Sequence, residues 1–538
     1  MDNSIPMELL KFLSPEGTLF LLASLILLIG PFFREKVSWP LVSLIGFLVS
    51  YLLLLMQAGT ASPGDNPYAS VVLGGTLSNL IRHFSLGAGI FLLFLFWDRD
   101  RFQPETVGLL MILAGGSSMV GMANDLTVLY LGLELVTIPS YILLYCHGDS
   151  NSAESTMKYF FLSILSSAFL LLGIAFLYGL TGTTNIAAIS DALLLADPAK
   201  LFGADALAAH RLLLIPILGI LAGLGFKISM VPFHFYAPDV YQGAGYRMSA
   251  VLATMPKIAG FAGLIRIFAF ALDHGGPAPT DFARDNIPVL FWILAFISIT
   301  LGNLLALLQR NIRRIMAYSS IAHTGYILAA FAVASKAAPD SAFTGLSAAM
   351  FYLIVYFFST FGIFAILHYL EQGRKPIRDW DDLAGTSKDN PVLAVALAIF
   401  LFSLTGIPLT GGFLAKFAIV YCCANVPFTL DDPVSWESHY LFILLALVIV
   451  LNAAVAAWYY LKLISGIFLK PVIWLEDKSY SFKPVLIPIL ASLLITVVLG
   501  IYPSLLLKPK AYQELIEKRP IAQGAGIHGP FQLADGKQ

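Results

Sequence analysis

Charge is scarce in this chain, and cysteine is scarcer. Only 12% of its 538 residues are Asp, Glu, Lys or Arg, against about 25% in an ordinary soluble domain. A polar shell around a soluble fold of this size is therefore excluded. The formal net charge of −1 leaves no basic surface for nucleic acid. Three cysteines, Cys146, Cys422 and Cys423, form neither a CxxC pair nor a Cys/His ligand spacing. That removes the ligands of an iron–sulfur cluster, a c-type haem or a zinc finger, and no metal site is expected. All three are expected to pack as small apolar side chains. No GxGxxG follows a strand-like run and no GxxxxGK[ST] is present, so nucleotide binding by this chain is not expected. The amino terminus lacks a basic n-region and an A-x-A site, so its first apolar run reads as a retained anchor.

What the chain has instead is length and oil. Hydrophobic residues make up 58% of it, and the mean hydropathy is +0.81. Runs of 18 or more apolar residues recur, each able to cross about 30 Å of hydrocarbon. The fold class is an all-α polytopic membrane protein of about fourteen transmembrane helices. The runs lie near 17–33, 38–56, 79–97, 106–123, 125–146, 155–180, 211–231, 247–273, 287–308, 311–335, 342–370, 391–424, 438–467 and 484–507.

Basic residues gather after odd-numbered runs: Arg34 and Lys36, Arg99 and Arg101, Arg247, then Arg310, Arg313 and Arg314. Further on come Arg374, Lys375 and Arg378, then Lys470, Lys478 and Lys483. Loops after even runs hold few, such as Lys200, Arg284 and Lys336. The positive-inside rule puts the odd loops in the cytoplasm and both termini outside. The charged linker at 371–391 reads as an ordinary cytoplasmic loop, with a surface amphipathic helix touching a partner as the alternative.

A charge near mid-membrane costs at least about 2.5–3.5 kcal/mol, so the ionisable groups inside the runs carry most of the information. Glu134 lies in "LYLGLELVTIPSYILLY", roughly 13 Å from the outer end of its run. Lys158 stands in "STMKYFFLSILSSAF", Lys227 in "GLGFKISMVPFHFY" and Lys257 in "MPKIAGFAGLIRI". His323 stands in "AYSSIAHTGYIL" and Lys416 in "GFLAKFAIV". Lys158 and Arg266 are near enough to run ends to snorkel. His234 and His323 can equally be satisfied structural histidines. Lys227, Lys257 and Lys416 are too deep for easy snorkelling, and an unpaired lysine there must lose its proton or find a carboxylate or water. Glu134 is the one carboxylate at comparable depth, so a Glu134–Lys227 ion pair is expected. A purely structural buried pair is the alternative, although such pairs do little for stability. A file of alternating acid, lysine and histidine groups is what a proton relay requires.

Two runs are broken, one at Pro232 and one at "TGIPLTGG" (405–412). Proline removes a backbone donor, and freed carbonyls at membrane depth must face protein or a wet cavity. The breaks fall in the fourth run of 4–8 and the fourth run of 9–13. Each block is odd in number, so the second enters from the opposite side, as in an inverted repeat. The expected organisation is a three-helix segment at 1–105, a first repeat at 106–273, an inverted second repeat at 287–467, and a last helix with a polar tail at 484–538. Lys227 and Lys416 are then pseudo-symmetric partners.

"GLGFKISMVPFHFYAPDVYQGA" (223–244), "GNLLALLQRNIRRIMAYSSIAHTGY" (302–326), "MKYFFLSILSSAFLLLGIAFLYGLTGTTN" (157–185) and "GIPLTGGFLAKF" (406–417) resemble the antiporter-like subunits of respiratory complex I. The resemblance is strongest to the N branch of that family. "QGAGYRMSA" (242–250) departs from the threonine/proline-rich sequence usual there. Lys416, where the M branch usually has glutamate, favours N, and the chain is too short for the extra carboxy-terminal helices of the L branch. The resemblance implies proton translocation driven by quinone reduction. It implies a Glu134–Lys227 pair relayed through Lys257 and His323 to Lys416, with Lys158 and His234 as auxiliary residues. It implies a bacterial inner membrane, neighbours of the M, K and J types, and no cofactor in this chain. NADH, FMN, iron–sulfur clusters and quinone would belong to other subunits. A cation/proton antiporter subunit of the Mrp type is the alternative.

Overall fold

The structure is a computed structural model that describes residues 4–57, 71–97, 103–146, 150–189, 206–272, 281–336, 343–372, 376–427, 433–470 and 484–506. The loop cations Arg99, Arg101, Lys200, Arg374, Lys375, Lys478 and Lys483, and the tail 508–538, lie outside the described residues.

Without water to bond to, a backbone in hydrocarbon must satisfy itself, and helices do so within one segment. The described chain is accordingly helical throughout, with isolated β-bridges only. The first group is α1 (Ser4–Phe12), α2 (Ser14–Ile29), α3 (Trp39–Met56) and α4 (Thr76–Leu93). Next come α5 (Gln103–Met122), α6 (Leu126–Cys146), α7 (Ser150–Thr181), α8 (Ala206–Lys227) and α9 (Ala237–Leu272). The third group is α10 (Asp281–Leu307), α11 (Ile312–Val333), α12 (Gly345–Gln372), α13 (Pro391–Thr405), α14 (Gly411–Ala424) and α15 (Pro433–Phe468), and α16 (Leu486–Ile501) is the last α-helix among the described residues. Among the described residues, eleven helices are long and apolar enough to cross a membrane, and Leu213–Lys227, Pro391–Thr405, Gly411–Ala424 and Leu486–Ile501 are shorter apolar helices. The chain is an all-α polytopic membrane protein.

The helices sort by environment. α9, α11 and α12 are buried along nearly their whole length, with α9 packed against α5, α6, α7, α8, α11 and α12. α2, α3, α7 and α15 turn large apolar side chains outward, including Leu21, Leu52, Phe161 and Leu447. That outer surface suits lipid, and the buried axis is where polar groups can be kept. α10 and α11 are drawn close where a Cβ on Gly302 would lie 2.6 Å from the Ala322 nitrogen, the small-residue contact common between membrane helices.

The structure also corrects detail. α9 is two helical stretches that meet at Gly245, whose φ of 69° is strained for other residues, so a helical stretch from Ala237 precedes the expected run. "QGAGYRMSA" spans this kink. In the linker, residues 376–390 are not a plain loop: Trp380–Leu383 and Thr386–Asp389 form short helical turns. They are fastened by Tyr246 Oη donating to Ile377 O at 2.7 Å, by Ile312 N donating to Arg378 O at 2.8 Å, and by Lys462 over the Trp380 ring at 3.7 Å. A linker read for charge alone hides such anchors, because most are backbone carbonyls.

Candidate functional site

The first break arises at residues 228–236, which leave the helical path between α8 and α9. Two of its carbonyls take side-chain donors. Tyr236 Oη donates to Phe226 O at 2.9 Å, and Thr324 Oγ1 donates to Ile228 O at 2.7 Å. Lys227, the last residue of α8, lies with its Nζ 3.4 Å from Glu134 Oε1 on α6. The same ammonium donates to Thr137 Oγ1 at 2.5 Å, one turn beyond Glu134, and Ser167 Oγ donates to Glu134 Oε1 at 2.5 Å. The lysine side chain is 3% exposed and the carboxylate 21%. The expected pair is thus in contact, with its acid end the more open.

Lys257, on α9 just after Pro256, is buried with no carboxylate in contact among the described residues. Its Nζ donates to Ser320 O at 2.5 Å and Thr324 Oγ1 at 2.8 Å, and it lies 5.1 Å from the centre of the Tyr356 ring. Thr324 therefore touches both the first break and Lys257. On the same helix, α11, His323 is buried between two phenols, with Nδ1 2.7 Å from Tyr352 Oη and Nε2 3.0 Å from Tyr460 Oη.

The second break separates α13 from α14. Gly406 ends α13 in the left-handed region, with φ 92°. Lys416 reaches back across the break, and its Nζ donates to Leu404 O and Thr405 O, both at 2.8 Å. These carbonyls form the negative end of a helix dipole. The Tyr326 ring centre is 4.9 Å from Lys416 Nζ and 5.8 Å from the His323 ring; the Tyr356 ring is 5.2 Å from His323. One tyrosine thus stands between Lys257 and His323, and another between His323 and Lys416.

The other expected residues lie apart from this file. Lys158 is 45% exposed and bonded to Glu154 at 2.8 Å and Asp239 at 3.3 Å, and Asp239 also accepts from Arg314 at 2.7 Å. His234 is half-buried on the turn of the first break and, among the described residues, pairs with neither Glu134 nor a lysine. Arg266 Nε donates to Gly121 O at 2.7 Å, holding the end of α5. Cys422 and Cys423 are buried and Cys146 is half-buried, and none of the three is in a disulfide. Among the described residues no cluster of His, Cys, Asp or Glu could hold a metal ion.

Sequence reasoning missed one buried ion pair. Arg82 on α4 and Glu16 on α2 meet at 2.9 Å with side chains 0% and 2% exposed, and Ser118 Oγ donates to Glu16 at 2.6 Å. Glu16 precedes the first apolar run and Arg82 sits at the start of the third. The signal that was available is an arginine inside a hydrophobic stretch.

Against known proteins, the family model described as NADH:quinone oxidoreductase/Mrp antiporter, TM, matches residues 123–430. NADH-quinone oxidoreductase subunit N of Trichlorobacter lovleyi is 34% identical over 511 residues, which cover 93% of this chain and 96% of that one. A chain of respiratory complex I from Thermus thermophilus, solved with bound aureothin, has a TM-score of 0.69 at 26% identity, covering 92% of this chain and 98% of its own. A chain of the Mrp complex from Dietzia has a TM-score of 0.70 at 20% identity, covering 93% and 99%; that likeness is one of fold.

Proposed function

Because this chain belongs to the NADH:quinone oxidoreductase/Mrp antiporter family, with relatives named subunit N matching it at 34% identity over 93% of its length, we propose that its buried lysine file carries the proton. The chain is a proton-translocating membrane subunit of NADH-quinone oxidoreductase. Protons move from the Glu134–Lys227 pair through Lys257 and His323 to Lys416. The observation that carries this order is that neighbouring stations share a side chain: Thr324 joins the first break to Lys257, Tyr356 lies beside Lys257 and His323, and Tyr326 lies beside His323 and Lys416. Lys158 and His234 are auxiliary, Lys158 serving the mouth at the end bearing Asp239 and Arg314.

The same reading includes fourteen spans, with the two broken helices related by an inverted repeat, so that Lys227 and Lys416 are counterparts. The segments 1–105, 106–273, 287–467 and 484–538 are its units. Both termini face outward from a bacterial inner membrane, and the neighbours are subunits of the M, K and J types. NADH, FMN, iron–sulfur clusters and quinone are handled by those other parts of the complex, and this chain acts on protons alone. The Mrp alternative is less supported: the family description covers both kinds of subunit, and the Dietzia chain is alike in fold at 20% identity.

The test is Glu134→Ala in the purified complex in proteoliposomes. Removing one partner of a buried ion pair leaves an uncompensated charge, so pumping per assembled complex should fall about tenfold, equivalent to about 1.4 kcal/mol of barrier. Glu134→Asp keeps the charge and should fall less. Wild-type pumping by Glu134→Ala ends the assignment. For orientation, Arg99→Cys and Asp431→Cys should label from opposite faces of sealed vesicles.

A further inference from the structure

We infer that Tyr460, backed by Ser319, is a positioning residue of the relay that sets which nitrogen of His323 carries the proton and turns that nitrogen toward the Lys416 half. The inference deepens the relay reading and rests on it. Tyr460 lies on α15, a helix to which the lysine file assigns nothing.

A neutral imidazole has one N–H and one bare nitrogen. With a phenol at each of its nitrogens, His323 donates to one and accepts from the other, so the two phenols between them fix its tautomer. They are not equivalent. Tyr352 Oη has His323 as its hydrogen-bond partner. Tyr460 Oη meets both His323 Nε2, at 3.0 Å, and Ser319 Oγ. Ser319 precedes His323 by one helical turn, so both face α15 together.

This second partner gives Tyr460 two complete states. In one, Ser319 donates to Tyr460 and Tyr460 donates to Nε2. In the other, Nε2–H donates to Tyr460 and Tyr460 donates to Ser319. A proton arriving from the Lys257 side binds the bare nitrogen, making imidazolium, and the proton on the opposite nitrogen leaves. One proton enters and one departs, and the ring is left in the other tautomer. Turning the Tyr460–Ser319 pair lets Tyr460 keep one donated and one accepted hydrogen bond with either tautomer.

The residues beyond Tyr460 give the direction. Its ring centre is 4.4 Å from that of Tyr459, whose hydroxyl donates to Asn303 Oδ1 at 2.9 Å. Asn303 Nδ2 lies 3.2 Å from Tyr326 Oη, and the Tyr326 ring faces Lys416 Nζ. The polar path that starts at Nε2 therefore ends beside Lys416.

The experiment is Tyr460→Phe, Ser319→Ala and the double variant in the assembled complex, reconstituted in proteoliposomes, with pumping measured across pH. Removing one buried hydrogen-bonding hydroxyl should slow pumping about five- to tenfold, and the midpoint of the pH profile should move by about half a unit or more. Ser319→Ala should shift the profile the same way with a smaller loss. The double variant should be no worse than Tyr460→Phe, since the two hydroxyls act as one unit. A wild-type rate and profile for Tyr460→Phe overturns the inference. So does a slower rate with an unmoved profile and losses that add, which is a packing effect. Should Tyr460→Phe not accumulate, Ser319→Ala carries the same readout: a moved profile supports the inference and an unmoved one overturns it. His323→Ala runs alongside. If it pumps normally, the relay reading falls too; if it is impaired while Tyr460→Phe is wild type, only the Tyr460 role falls.

Discussion

The two helix breaks hold a lysine each, and they hold it by different means. At the first, Lys227 faces a full negative charge on another helix, Glu134 of α6, with Thr137 beside it. At the second, Lys416 faces two peptide carbonyls, Leu404 and Thr405, from the other half of its own broken helix. A carboxylate rewards the ammonium strongly and the amine hardly at all. A carbonyl accepts a hydrogen bond from either, and a helix end adds only about half an elementary charge. The hold on Lys227 therefore depends on how α6 sits against α8. The hold on Lys416 depends on the two halves of one broken helix. Two lysines that both stand at helix breaks thus have different electrostatic surroundings.

The sharpest way to break this contrast is at Lys416. Arginine keeps the positive field but stays protonated in proteins, whereas lysine can exist in both states. Lys416→Ala and Lys416→Arg should both pump at below about a tenth of the wild-type rate, a loss of about 1.4 kcal/mol or more. Recovery by arginine, measured in proteoliposomes, makes the second site a fixed charge and dissolves the comparison.

A smaller effect separates the breaks by their glycines. A Cβ on Gly412 would land on the Ser403 carbonyl oxygen, which is backbone and cannot yield, whereas a Cβ on Gly225 would meet side chains only, the flexible end of Met230 at 2.5 Å and the Phe233 ring at 3.0 Å. Gly412→Ala should destabilise the subunit by about 1–3 kcal/mol and lower its melting temperature, and Gly225→Ala should lower it less. Equal melting temperatures for the two variants show that the second break is no more constrained than the first. The smallest effect expected is at Thr137→Val, which removes one hydrogen bond to Lys227 and leaves Glu134 in place. Pumping should fall about two- to fivefold, in line with about 0.5–1 kcal/mol, the lower part of the range for one bond. A loss matching that of Glu134→Ala shows that the hydroxyl and not the charge holds the lysine.

Much of the site is legible because charge is rare in an apolar sequence. Glu134, Lys227, Lys257 and Lys416 stand out against their surroundings, and Pro232 and Pro408 mark where helices stop. The acceptors of Lys416 and Lys257 are not legible, because Leu404 O, Thr405 O and Ser320 O are backbone atoms that every residue owns. Tyr460 is hidden for a related reason: aromatics occur throughout, and nothing local marks the one whose hydroxyl meets a histidine 137 positions away. Of the two partners of Lys158, Glu154 is legible four residues earlier, while Asp239 escapes because it lies beyond the first break, where the sequence reads as a connection. Arg82 is visible, and its carboxylate is not, since Glu16 precedes the first oily run.

That pair has a consequence for how the chain is made. Glu16 leaves the ribosome 66 residues ahead of Arg82, and neither group can be left alone in hydrocarbon cheaply. The two charges can therefore meet only after α4 has been made, and Ser118 adds its hydrogen bond to the carboxylate only once α5 has followed. The pair ties together three helices that are not consecutive, so losing either charge leaves the other buried alone between them.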